Sequence, residues 1–171
     1  SLQPSWGLIE PLKQSIQFLW HFAHPDGSFG GLYGSRSTRF YYPAGIEALA
    51  LEVPQAAALA QYMATSIESE KVVTLAAMDE PNLVPMFNSY CWAAVLWNEA
   101  DKPKSLPILP SMRGEVFRHL FTQAGLWIDA GPEHYTIVNT HKGGVVAHYQ
   151  RGNVGYIDAG VVVRDALDQL G

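Results

Sequence analysis

The chain has 171 residues, 48% hydrophobic and 16% charged, which is enough apolar material for one good core or two small ones and less charge than a globular domain usually carries. A formal net charge of −5 argues against a general nucleic-acid surface, which needs an excess of Lys and Arg. No apolar run approaches the roughly 18–20 residues that span a bilayer, so no membrane insertion is expected, and the single cysteine, Cys91, allows no internal disulfide and reads as a small buried hydrophobe.

Low charge together with many aromatics, and a start at Ser1 without an initiator Met or basic leader, read as a processed or excised piece whose partners include other domains of a parent chain. Residues 7–23 place Leu8, Ile9, Leu12, Ile16, Phe18, Leu19 and Phe22 near helical spacing, and Pro25-Asp26-Gly27 stops that helix. Residues 26–42 form a long loop with four glycines and five aromatics. Loops of that length are usually functional or disordered, and the aromatics argue against disorder. Pro43 suits the first turn of a second helix through Ile46, Leu49, Ala50 and Leu51. Pro54 breaks it, an Ala-rich helix follows to about Ile67, and a further helix spans about Pro81 to Glu99.

The prolines of 101–114 mark a change of texture and read as a linker. Beyond it the period shortens to two: Tyr135, Ile137 and Asn139 alternate with Thr136, Val138 and Thr140. Gly143-Gly144 marks a turn or bulge, Val145 to Tyr149 a strand, Arg151-Gly152-Asn153 a hairpin turn, Val154 to Ile157 a returning strand, and Asp158-Ala159-Gly160 another turn. The fold class expected is α+β. It has a helical part over residues 1–104, a linker over 105–114, and an antiparallel meander, part of a sandwich, over 115–171.

Two windows of this acidic chain contain no Asp or Glu. Residues 27–46 carry only Arg36 and Arg39 as charges, and residues 134–157 carry His134, His141, Lys142, His148 and Arg151. Positive potential in an acidic protein is most useful as a focused cleft for an anionic ligand, although a charge-poor loop also arises by chance. Tyr33, Tyr41 and Tyr42 accompany the arginines. A guanidinium favours the phenolate, so such a tyrosine could move a proton in an elimination. The alternative is ring packing with the hydroxyl turned outward. His141 lies at a strand end beside glycines, where it is accessible and titrates near neutrality. His148, inside a strand, faces solvent, a neighbour or a ligand. His21 and His24 end a helix, where cations suit the dipole. The histidines lack the spacing of a closed metal site, no Gly-Lys-Ser/Thr follows GGLYGS, and no Gly-x-Ser-x-Gly elbow occurs, so neither a metal nor a cofactor is expected.

The run HPDGSFGGLYGSRSTRFYYPAGIEAL resembles the toroid loop-and-helix of heparinase II/III-like and alginate-lyase-like proteins. The stretch AGLWIDAGPEHYTIVNTHKGGVVAHYQRGNVGYIDAG resembles the opening of their β-sandwich. His141 falls where that family's turn histidine would be, and Asp158-Ala159-Gly160 at its Asp-x-Gly. The resemblance implies helical hairpins of an (α/α) toroid joined to a β-sandwich, with an acidic, uronate-containing polysaccharide or oligosaccharide between them, cleaved by β-elimination. On this reading Tyr33 or Tyr42 and His141 are the catalytic residues, and Arg36, Arg39, Lys142 and His148 bind substrate. The resemblance also implies a periplasmic or cell-envelope location; otherwise a cytoplasmic one is expected. The family's turn typically holds two histidines and an acid, whereas this chain has His141 followed by Lys142-Gly143-Gly144. A non-catalytic glycan-binding or scaffold module of a polysaccharide biosynthesis or export system is the alternative. QFLWHFAHPDGSFGG also resembles the repeats of terpenoid-cyclase and prenyltransferase toroids, which are all-helical.

Overall fold

A computed structural model describes residues 7–34, 36–99, 103, 105–150 and 155–158. It divides into two compact units, one containing Arg39–Met112 with the residues up to Phe29, the other containing Gly30–Thr38 with the residues from Arg113 onward.

In the helical unit, α1 (Ile9–Leu19) runs into a single 3-10 turn, Trp20–Phe22. Ile16, Trp20, Phe22 and Ala23 are buried, which is the stripe that the apolar spacing predicts. The stop signal folds into a tight reversal. Asp26 Oδ1 accepts from the Ser28 backbone N–H at 3.0 Å and from Ser28 Oγ at 2.6 Å, Gly27 adopts a positive φ of 88°, and Ala23 bridges Phe29. A short carboxylate that bonds two residues ahead, followed by a glycine, is what this reversal requires.

His24 departs from its expected role as a dipole-neutralising cation. It is fully buried, and burial, abetted by Arg39 and opposed by Asp26, pulls its pKa from 6.5 to about 3. Its Nδ1 lies 2.8 Å from Ser28 Oγ. Because that hydroxyl already donates to Asp26, the ring N–H is the donor and His24 is neutral. His21 places Nδ1 2.8 Å from the Gln17 carbonyl.

Helices α2 (Pro43–Leu49) and α3 (Pro54–Glu68) both carry proline in the first turn, where the missing N–H needs no partner. Ile46, Leu49, Val53, Leu59 and Met63 build the core with Ile16 and Trp20, and the alanines of α3 let its neighbours approach closely. α4 (Glu80–Glu99) packs on α2. Its apolar residues run all round the helix, so burying Met86 and Ala93 leaves Phe87, Trp92 and Val95 exposed. Cys91 is exposed as well, against the expectation of a buried thiol. The described part of the Pro-rich stretch is fastened to this unit: Leu109 enters the core, and Ser111 Oγ donates to the Ala23 carbonyl at 2.6 Å.

In the second unit, β1 (Phe117–Phe121), β2 (Leu126–Ala130), β3 (His134–Asn139), β4 (Val145–Gln150) and β5 (Tyr156–Asp158) form one antiparallel sheet in the order β1-β2-β3-β4-β5. The alternation expected for β3 is present: Tyr135, Ile137 and Asn139 are buried, as are Leu126, Ile128 and Ala130 on β2 and Val145, Ala147 and Tyr149 on β4. Gly125, Gly143 and Gly144 have positive φ at the turns. The Arg151-Gly152-Asn153 turn and Ala159-Gly160 lie outside the described residues. The architecture is mixed helix and antiparallel sheet, with strands between 117 and 150 and at 156–158 rather than helix throughout. Among the described residues, no helix is long and apolar enough to cross a membrane.

Candidate functional site

The second unit unites parts of the two acid-free windows. Residues 30–38 are stitched to the β3–β4 turn by two side chains. Asn139, buried at the end of β3, donates from Nδ2 to the Tyr33 carbonyl and accepts the His141 backbone N–H on Oδ1 at 2.8 Å. Lys142 Nζ donates to the carbonyls of Leu32 at 2.8 Å and Gly34 at 2.9 Å, and lies 3.0 Å from Ser37 Oγ. An ammonium has three protons to donate, and the loop supplies an acceptor for each. Lys142 is therefore first a clamp. Its charge stays at the site, but its donors are directed at the loop rather than outward as a substrate ligand would hold them.

The clamp sets the positions of its neighbours. Arg36, one residue from Ser37, is exposed, as is His141. The His141 ring lies flush over Gly125: a Cβ built there would stand 2.4 Å from His141 Cγ. Gly125 also has a φ of 61°, so its lack of a side chain meets two demands. Tyr33 is only 3% exposed. The Tyr33 ring is packed into the unit rather than standing out on an open loop. Tyr42 and Arg39 belong to the helical unit. Tyr42 immediately precedes α2 and is 38% exposed, with its hydroxyl 3.5 Å from Asn82 Oδ1, at the limit of a hydrogen bond. Arg39 is exposed.

His148 belongs to a different arrangement. Arg118, Asp129, Thr136, His148 and Tyr156 occupy one cross-strand row over all five strands. Arg118 Nε bonds Asp129 Oδ1 at 2.6 Å, Asp129 Oδ2 lies 2.9 Å from His134 Nε2, His134 stacks on His148 with centroids 6.1 Å apart, and His148 Nδ1 lies 2.8 Å from Thr136 Oγ1. The hydrogen bond from Arg118, then that from His134, holds the Asp129 carboxyl below its usual range. A cavity of about 320 Å³ lies beside the row, lined by Arg118, Trp127, Asp129 and Val138. His148 is thus tied to neighbours on its own sheet.

Asn139, the row residues Arg118 and Asp129, and the adjoining His134 carry no motif. The period of two could have placed His134 and Thr136 on the face opposite Tyr135 and Ile137, but which residues stand beside them depends on strand register. No protein-family model matches the chain, and no curated protein or solved structure matches it significantly.

Chemically, the clamped rim offers an exposed guanidinium, the charge of a clamped ammonium and an exposed imidazole within one unit. Such a set can neutralise a carboxylate and offers an imidazole for proton exchange.

Proposed function

We propose that the chain is part of a polysaccharide-lyase-like protein of the heparinase II/III type, and that the rim built by residues 30–38 and the β3–β4 turn binds an acidic, uronate-containing glycan. On this reading the helices are hairpins of an (α/α) toroid and the meander is one sheet of a β-sandwich. The observation that carries the proposal is the Lys142 clamp, because it brings Arg36 and His141, from two windows free of carboxylates, into one unit. Arg36 faces the uronate carboxylates, and the charge of Lys142 adds to the positive potential of the same rim.

In a β-elimination, a base removes the proton at C5 and the electron pair forms the C4–C5 double bond. The C4–oxygen bond breaks, and an acid protonates the leaving oxygen. His141, exposed on this rim, is the group of this unit suited to a proton transfer. A second reading, glycan binding without catalysis, is favoured by the burial of Tyr33 and by the engagement of the Lys142 donors.

The test is binding of alginate, heparin and a neutral glycan at low and moderate salt, with ultraviolet absorbance followed for an unsaturated product. Acidic glycans bind selectively and more weakly as salt rises; equal binding of neutral and acidic glycans refutes the proposal. Selective binding with no unsaturated product assigns the non-catalytic role.

A further inference from the structure

The outward face of the sheet carries an open hollow of about 320 Å³, lined by residues of two neighbouring cross-strand rows. One row runs through Leu120, Trp127 and Val138, the next through Arg118, Asp129 and Thr136. The period of two puts these side chains on the same side of the sheet. Trp127, on β2, is 44% exposed, and Leu120 opposite it on β1 is 59% exposed. The Arg118 side chain is 74% exposed.

Two properties of this hollow select a ligand. The first is apolar surface. An accessible indole between two aliphatic side chains makes a floor that gains by leaving water. The second is hydrogen bonding. Arg118 uses Nε on Asp129 Oδ1, and that bond makes no demand on the other N–H groups of the guanidinium fork. Asp129 has its second oxygen on His134. The edge of the hollow therefore offers donors rather than acceptors, and the opposite charges of Arg118 and Asp129, 2.6 Å apart, largely offset each other. A second sheet or an apolar helix laid over this face would have to desolvate Arg118, Asp129 and His134, and burying such ions costs about as much as their attraction returns, or more. A ligand that keeps the polar edge wet or hydrogen-bonded avoids that cost.

We infer that this face is a saccharide platform. A pyranose ring lies with its C–H face on Trp127 and the flanking Leu120 and Val138, and the oxygens at its edge accept from the Arg118 guanidinium. A sugar ring combines the two features that the hollow asks for, one apolar face and a rim of oxygens. The volume stands at the lower end of the range of about 300–1,000 Å³ typical of small-molecule pockets, room for about one sugar ring of a chain that continues into solvent. Because the local charges offset, the platform takes neutral and acidic sugars alike. The rim of residues 30–38 differs in this respect, since its pull on a uronate is electrostatic, and the platform does not rest on that reading.

The experiment follows the indole N–H resonances of the nitrogen-15-labelled chain by NMR. The titrants are cellotetraose, which is neutral, a tetrasaccharide of mannuronate, and sorbitol, which has hydroxyls but no ring. Trp127→Phe identifies the Trp127 resonance by its loss. Both tetrasaccharides shift that resonance, sorbitol does not, and the cellotetraose affinity is the same at low and moderate salt. Trp127→Ala weakens cellotetraose about 5–20-fold, and Trp127→Tyr restores most of the affinity. Arg118→Lys keeps the charge but not the fork, and weakens it about 2–10-fold. Salt-sensitive binding of the mannuronate chain belongs to the rim and survives Trp127→Ala, so failure of the rim and failure of the platform are read separately. A Trp127 resonance unmoved by both tetrasaccharides overturns the inference, as does undiminished cellotetraose binding by a Trp127→Ala chain that melts like the wild type. A Trp127 resonance that shifts on dilution of the chain alone would place a second copy on this face, and overturns it too.

Discussion

Lys142 Nζ stands 2.8 Å from the carbonyl oxygen of Leu32, a residue 110 positions earlier in the chain. With Gly34 and Ser37 as its further partners, this one ammonium holds three points of the loop, Leu32, Gly34 and Ser37, against the β3–β4 turn. Lys142→Met keeps the aliphatic stem and removes every donor. Hydrogen bonds to a charged group are worth about 1.5–3 kcal/mol, and half-burial places this set toward the lower end, so the variant loses about 2 kcal/mol. Amide exchange at Gly34 and Ser37 quickens by more than global unfolding explains. A variant with wild-type exchange at both amides would show that Lys142 does not hold the loop.

Asn139 is the second stitch, and it is buried. Asn139→Ala leaves the Tyr33 carbonyl and the His141 N–H without their partners, at a cost of about 2–3 kcal/mol. Urea titration measures it. A loss under 0.5 kcal/mol would mean that water replaces both bonds.

Gly125→Ala tests how His141 is presented. The new methyl group occupies space that the His141 ring holds, 2.4 Å from Cγ, and the φ of 61° is itself unfavourable for alanine by about 1–2 kcal/mol. The fold loses about 2 kcal/mol or more, and the His141 ring resonances shift in the NMR spectrum. Unmoved resonances would contradict the packing described.

His24 gives stability a pH dependence of defined sign. Its folded pKa, about 3, lies below the unfolded value of 6.5, so between those values the unfolded chain binds the extra proton. The contribution is fully present above pH 6.5 and is lost as the pH falls toward 3, with a slope approaching 1.4 kcal/mol per unit. Between pH 6.5 and 5 most carboxylates are still ionised in both states, so urea midpoints in that window isolate the histidine. His24→Asn flattens the slope there by about one proton. An unchanged slope would assign the dependence to another group.

The Arg118–Asp129 pair is short, at 2.6 Å, yet its side chains are 74% and 38% exposed. Solvent screening limits such a pair to under about 1 kcal/mol, so Asp129→Asn shifts the urea midpoint only slightly and the shift shrinks further in salt. A loss above 2 kcal/mol would show that the whole row acts as a unit.

The fold was more legible in the sequence than the site. Pro43 marked a helix start because proline at the first turn has a local cause, and the alternation about Tyr135 and Ile137 marked a strand because period two is also local; Pro54, read as the break after α2, is itself the first residue of α3. The surroundings of Tyr33 and Lys142 were hidden for the opposite reason. A glycine-flanked tyrosine and a turn lysine look accessible, and only the return of β3 beside residues 30–38 buries one ring and occupies the other residue's donors. Cys91 was misread because α4 is apolar all round, so its pattern gives no inward direction. The row from Arg118 to Tyr156 depends on register across five strands, which no short window of sequence contains.

The 110-residue span closed by Lys142 also bears on biosynthesis. At about 5–20 residues per second, a ribosome delivers Leu32 roughly 6–22 s before Lys142. Throughout that interval the glycine-rich segment has none of its sheet partners, while the helices on either side can already form from local contacts. It is then the part of the nascent chain most open to a protease, and translational pausing between the two residues would lengthen that exposure.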